Sequence, residues 1–234
     1  MQHGDKTVKF LCFDGEASKM HAGEILAGRT YPIVPFVPEV KTILDIGANV
    51  GATSVFLGLH YPGAQIFSVE PQALPFDLLK SNIQENPKNK CFNFGLFDCD
   101  KSVPLYHSWV ESGTASIGQS WLNNYDHEMI NLRDAATWVK EEQIQSIDIL
   151  KIDTEGCEYQ ILTSLRSFLP TISVIYLEYH SEEDRRLIDD LVAETHVLYH
   201  GRIDKAHCGE LTYVRSDLGQ YSGELHKHRI KTHD

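Results

Sequence analysis

The sequence predicts an α/β fold, a mostly parallel sheet with helices on both faces, and three observations predict it. Short apolar runs at 43–46, 65–69, 91–96, 147–152 and 174–177 have the length of buried strands. Runs at helical spacing separate most of them, and strands alternating with such helices build right-handed βαβ units. The informative polar residues fall at the carboxyl ends of these strands, where parallel sheets bind their ligands.

Composition sets the outer bounds. The 234 residues are 42% hydrophobic and 23% charged, the balance of a soluble globular chain, and are expected to form one domain with a full core. A net charge of −12 argues against nucleic-acid and membrane partners, because both require a basic surface. Cys12, Cys91, Cys99, Cys157 and Cys208 are odd in number and form no C-x-x-C pair, which predicts reduced thiols rather than a disulfide frame or zinc site. The apolar run at 10–13 is too short for a secretory leader and no run approaches a membrane span, so the expected location is cytoplasmic.

Taken in order, residues 1–40 carry no strong period and are expected to form an N-terminal arm. Pro32, Pro35 and Pro38 exclude helix and central strand, which predicts an extended segment laid over the core. The core is expected over 41–215. Its first strand, 43–46, turns through Gly47 and Gly51 into a helix marked by Val55, Phe56, Leu57 and Leu59. Pro62-Gly63 marks a turn before the second strand, and Leu74, Leu78, Leu79 and Ile83 predict a helix that ends before Pro87. A third strand is expected over 91–96 and a short edge strand over 103–106. Residues 107–136, with Trp109 and Trp121 among Ser, Gly and Thr, read as a loop packed over something. A helix over 135–142, the strand 147–152, a helix over 157–168, the strand 174–177 and a helix over 182–194 follow. An antiparallel hairpin of 196–200 and 211–214 closes the sheet, and 216–234 reads as a polar, loosely held tail, its His226, His228 and His233 lacking ligand spacing.

The first motif is Asp45-Ile46-Gly47-Ala48-Asn49-Val50-Gly51. A strand that turns sharply into a helix places backbone N–H groups and a positive dipole end beside a ligand. Glu70-Pro71 ends the second strand, 19 residues after Gly51, where a carboxylate can accept hydrogen bonds from both hydroxyls of a ribose. A dinucleotide fingerprint needs G-x-G-x-x-G, yet Asn49 and Ala52 stand where its second and third glycines belong. Asp45 would repel a pyrophosphate but suits a cationic ligand, and S-adenosylmethionine carries both an ammonium and a sulfonium. Further on, Lys151 and Asp153 share one side of a strand that Asp153 ends, while Glu155 and Glu158 share a helix face. Glu178 and His180 close the fifth strand on one side, in position for a base and its supporting acid.

These motifs, 45–51, Glu70-Pro71, Leu150-Lys151-Ile152-Asp153-Thr154-Glu155-Gly156-Cys157-Glu158 and Leu177-Glu178-Tyr179-His180, resemble the signature series of FkbM-type S-adenosylmethionine-dependent methyltransferases. The resemblance covers about 42–180 and implies a Rossmann-like class I methyltransferase fold with a seven-stranded sheet. It implies methyl transfer to an oxygen, commonly a hydroxyl of a sugar or secondary metabolite. Methionine contacts are implied around Asp45, Gly47, Asn49 and Gly51, a ribose contact at Glu70 beside Pro71, and an adenine pocket near 95–98, which includes Asp98. Arg133-Asp134 departs slightly from the leucine–aspartate that the family often carries.

The expected chemistry is in-line displacement at the sulfonium methyl by a substrate hydroxyl. His180 is the first candidate base, Asp153 the second, and Glu178 supports them. No metal site is assigned, although Asp153 and Glu178 at adjacent strand ends admit a Mg²⁺ variant. The alternatives are a nicotinamide-dependent oxidoreductase and a non-catalytic S-adenosylmethionine-binding module. A nucleic-acid N-methyltransferase fits less well, since Asp153-Thr154-Glu155 lacks the Asp/Asn-Pro-Pro-aromatic pattern of that class. The implied partner is a small hydroxylated molecule, and the oligomeric state is left open.

Overall fold

A computed structural model describes residues 2–3, 6–7, 9–37, 39–107, 115–116 and 126–218. Trp109, Trp121 and the three tail histidines lie outside the described residues. Two short strands, β1 (Gln2–His3) and β2 (Lys6–Thr7), pair with each other and precede helix α1 (Glu16–Leu26). The core then runs β3 (Thr42–Ile46), α2 (Ala52–His60), β4 (Gln65–Val69), α3 (Ala73–Ile83) and β5 (Asn89–Phe92). Next come β6 (Gly95–Phe97), β7 (Lys101–His107), β8 (Ala115–Ser116), β9 (Asp126–Asp134) and α4 (Ala135–Glu141). The last part is β10 (Ile149–Ile152), α5 (Glu158–Ser164), β11 (Val174–Tyr179), α6 (Glu182–Val192), β12 (His196–Lys205) and β13 (Cys208–Arg215).

Seven strands form the main sheet in the order β12-β13-β11-β10-β3-β4-β5. The five from β11 to β5 are parallel, and β13 enters antiparallel beside β11, with β12 folded back on it. Alternation along each strand sorts the core into two layers. Leu44, Ile46, Leu150 and Ile152 face α4, α5 and α6, with Trp138 packed edge-on against Phe67 and Phe92. Ile43, Ile66, Ile149, Val174 and Tyr176 face α1, α2 and the arm. Sequence order reverses between β3 and β10, which opens a crevice at their carboxyl ends.

Three expectations are corrected. The run 91–96 is two strands in two sheets, because the chain turns away where Asn93 Nδ2 bonds the carbonyls of Glu70 and Pro71. Residues 126–134, expected as loop, are β9, which pairs with β7 and β6 in a second sheet of order β6-β9-β7-β8. Its period-two pattern buries Ile130 and Leu132 while Met129 and Asn131 stay exposed. The arm holds a full helix, α1, whose buried residues Ala22, Ile25 and Leu26 crowd its final turns. Beyond it, 31–37 carries no strand or helix and buries Tyr31 and Val34 on the core, as its prolines predict. Among the described residues no helix is long and apolar enough to cross a membrane.

Candidate functional site

The site begins with two strands of matching pattern. Asp45 in β3 and Lys151 in β10 stand opposite each other in the parallel register, both sealed from water. Lys151 Nζ lies 3.2 Å from Asp45 Oδ1 and 3.8 Å from Asp153 Oδ2, and it donates to the carbonyl oxygens of Ile46 and Gly47. Ser54 of α2 donates to Asp45 Oδ2 at 2.6 Å. Asp45 therefore does not line the crevice as the sequence reading expected, since Lys151 already balances its charge behind the loop.

The loop that follows is held by close backbone approach. Gly47 has φ +72°, and a Cβ there would fall 1.8 Å from the carbonyl oxygen of Asp153, so only glycine fits. Gly51, at φ +88°, begins α2 with Leu79 2.7 Å from its missing Cβ and lies off the cavity lining. Asn49 takes the left-handed conformation that asparagine tolerates, and its N–H donates to Glu70 Oε2 at 2.9 Å. Gln72 N–H donates to Glu70 Oε1 at 2.9 Å. Burial outweighs these bonds and pushes the Glu70 carboxyl up to about 7.

Opposite stand the acids that end β10 and β11. Burial works to raise the Asp153 carboxyl, but Lys151 and His180 hold it below its ordinary value. Burial and the charge of Asp153 raise Glu178, so this pair retains a proton on Glu178 and the negative charge on Asp153. His180 Nε2 lies 3.1 Å from Glu155 Oε2 and 3.6 Å from Glu178 Oε1, with Nδ1 3.4 Å from Glu158 Oε1. Burial pulls its pKa down, yet Glu155 and Glu158 reverse that and push it up to about 11. The three acids around the ring thus favour the imidazolium, the form that cannot take up a proton, which sets Asp153 ahead of His180 as the candidate base. Glu158 is fully buried and accepts from the N–H groups of Thr154 and Gly156, so it shapes the loop rather than facing a ligand. Glu155 is held at φ +57°, uncommon for a residue with a side chain, and its carboxylate lines the crevice.

One cavity of about 440 Å³ joins these parts. Gly47, Asn49, Glu70, Pro71, Asp153, Glu178 and His180 line it, whereas Asp98, just past the end of β6, is exposed and outside it. Gly95, Leu96, Leu105 and Leu132 make one apolar wall. The sequence reading missed Tyr31, whose hydroxyl donates to Asp153 Oδ2 at 3.3 Å, and the face of α1 with Met20 and His21. The segment lacks a period that would betray either.

Residues 45–203 match the model of the methyltransferase FkbM domain. The chain is 26% identical over 156 residues to the 2-O-methyltransferase NoeI of Sinorhizobium fredii, covering 60% of this chain and 64% of that protein. It is 22% identical to the hexuronic acid methyltransferase AglP of Haloferax volcanii, over 67% of this chain and 63% of the relative. Methyltransferase sdnD of Sordaria araneosa is 24% identical over 74% of this chain and 72% of its own length. Among solved structures, the methyltransferase FkbM of Methylobacillus flagellatus superposes with a TM-score of 0.52 at 14% identity, over 75% of this chain and 43% of that one. The fibrillarin pre-rRNA processing protein of Methanococcus jannaschii gives 0.52 at 11% identity, over 92% and 86%, a likeness of fold alone. The family model spans more than half of the sequence, and with its seven-stranded class I methyltransferase sheet the chain belongs to the FkbM methyltransferase family.

Proposed function

We propose that the chain is an S-adenosylmethionine-dependent O-methyltransferase that acts on a hydroxyl of a small molecule, a sugar or a secondary metabolite. The observation that carries this reading is the single cavity in which the glycine loop, Glu70 and the ionised Asp153 meet. Two relatives, NoeI by its 2-O specificity and AglP by its hexuronic acid substrate, support oxygen transfer and a sugar-like acceptor. The chain spans 64% and 63% of their lengths, and its own substrate is part of the proposal.

The residues present fit the cofactor. Glu70 offers a carboxylate at the end of β4 for a ribose diol, and Val69, Pro71, Leu96, Leu105 and Leu132 offer an apolar sleeve for a base. Asp153 and Glu155 supply negative charge toward a cationic group. When bound, S-adenosylmethionine would supply an activated methyl group whose departing sulfide needs no proton. The protein's work is then alignment, worth roughly 7–11 kcal/mol, and removal of the acceptor's proton, worth about 10²–10⁴ in rate. Asp153 is the group poised to take that proton, being the carboxylate kept ionised by Lys151 and His180. His180 acts as a fixed cation that holds Glu155 and Glu178 and lends its charge to Asp153.

The test is transfer of labelled methyl from S-adenosylmethionine to a panel of hydroxylated acceptors, with and without chelator. Label in an ether product that survives chelation is the expected result, and Asp153→Asn should lower turnover at saturating cofactor by at least about 10²-fold. Cofactor binding without transfer to any acceptor would favour the non-catalytic module.

A further inference from the structure

Residues 11–32 lie outside the family match, yet they run across the crevice. It is fastened at both ends. At the first, Leu11 N–H donates to Asn82 Oδ1 at 2.8 Å, while Asn82 Nδ2 donates to the carbonyls of Leu11 at 2.7 Å and Val50 at 2.8 Å. The same asparagine on α3 thus grips the arm and the glycine loop. Between the fasteners, Phe13, Ala17, Met20 and His21 face the cavity. At the second, the Tyr176 hydroxyl donates to the Pro32 carbonyl at 2.7 Å, and its ring packs against Tyr31 at 5.5 Å.

Tyr31 is 2% exposed, and its hydroxyl reaches Asp153 Oδ2 at 3.3 Å, on the oxygen that also faces Lys151. A buried phenol finds a partner for its O–H, and a donor on an ionised carboxylate both orients it and favours the charged form. We propose that Tyr31 is a positioning residue for the reaction centre: the N-terminal arm delivers a hydroxyl that fixes Asp153 as the anionic base. The site is then completed by a segment that the family match does not include. This rests on the role given to Asp153 above, so its test is read without methyl transfer.

The other titratable groups around Asp153 are Lys151 from β10, Glu178 from β11, His180 and Glu155 from the strand-end loops, His21 from α1, and Glu210 from β13. Each is unchanged in Tyr31→Phe, which removes one oxygen and keeps the ring. In the full chain with carboxyl-¹³C aspartate, Asp153 is assigned by its loss in Asp153→Asn and titrated by NMR. In Tyr31→Phe its midpoint should move upward by about one pH unit. Tyr176→Phe removes the bond to Pro32 but keeps the ring against Tyr31 and every partner of Asp153, and should leave the midpoint in place. An unmoved midpoint in Tyr31→Phe overturns the proposal. So does an equal shift in Tyr176→Phe, which would make the arm's packing, not the hydroxyl, the cause. Where an acceptor is in hand, the acid limb of kcat/KM should follow the same shift, and absence of turnover alone would count against the methyltransferase reading while the titration still decides Tyr31.

Discussion

His180 lies among Glu155, Glu158 and Glu178, and its charge governs how the site responds to pH. Its folded pKa, pushed up to about 11, exceeds the unfolded value, so its contribution to stability is complete below about pH 6.5 and fades as pH rises toward about 11. Glu70, at about 7 against roughly 4.3 unfolded, loses its contribution in the same direction over a lower window. His196, buried and lowered to about 4, acts oppositely, so folding gains as pH climbs from about 4 to about 6.5. The thermal midpoint should therefore fall from near neutrality toward pH 10, and His180→Gln should flatten that slope. An unchanged slope in the variant would remove His180 from the account. Asp153, Glu178 and His180 were legible in the sequence because a polar residue ending an apolar strand stands out. The pairing of Asp45 with Lys151 had a signal too, in the matched runs Ile43-Leu44-Asp45-Ile46 and Ile149-Leu150-Lys151-Ile152. Tyr31 had none, since its contact with Asp153 spans 122 positions from a segment without period.

At the scale of elements, β3 and β10 are joined by a buried ion pair and by the glycine loop wedged against Asp153. Lys151→Met takes away the buried countercharge of Asp45 and leaves it only the Ser54 hydroxyl, which should cost about 3–5 kcal/mol in denaturant unfolding. Adding Asp45→Asn should recover part of that loss, and full additivity of the two changes would contradict the pairing. Gly47→Ala must displace the Asp153 carbonyl and should weaken adenosyl-ligand affinity at least tenfold, and calorimetry showing wild-type affinity would speak against the loop's place at the site. Helix α1 escaped the sequence reading because only Ala22, Ile25 and Leu26 bury, and no side chain caps its start. Strand β9 escaped because it has few apolar residues to display its alternation, and because its partner β6 is hidden in the run 91–96, which reads as one strand.

On the scale of the whole molecule, the order β12-β13-β11-β10-β3-β4-β5 makes the reversal between β3 and β10 the natural place for a ligand. Around that point the two layers play different parts. The helices α4 to α6 close the core on one side, while the arm and α1 on the other, with the second sheet at Leu105 and Leu132, enclose the crevice. The parallel sheet was readable because alternating strand and helix patterns leave few topologies. The enclosing parts were not, because segments that wall a cavity expose one side to it and lose the periodicity that a fully packed face imposes.

The central claim is that this crevice takes an adenosyl cofactor through Glu70 and the glycine loop, and the most direct measurement is calorimetric titration of the full chain with S-adenosylhomocysteine. The account predicts a saturable one-site heat that Glu70→Ala weakens by at least about tenfold and that NADH does not reproduce. No heat with S-adenosylhomocysteine, or a saturable heat with NADH in its place, would contradict it.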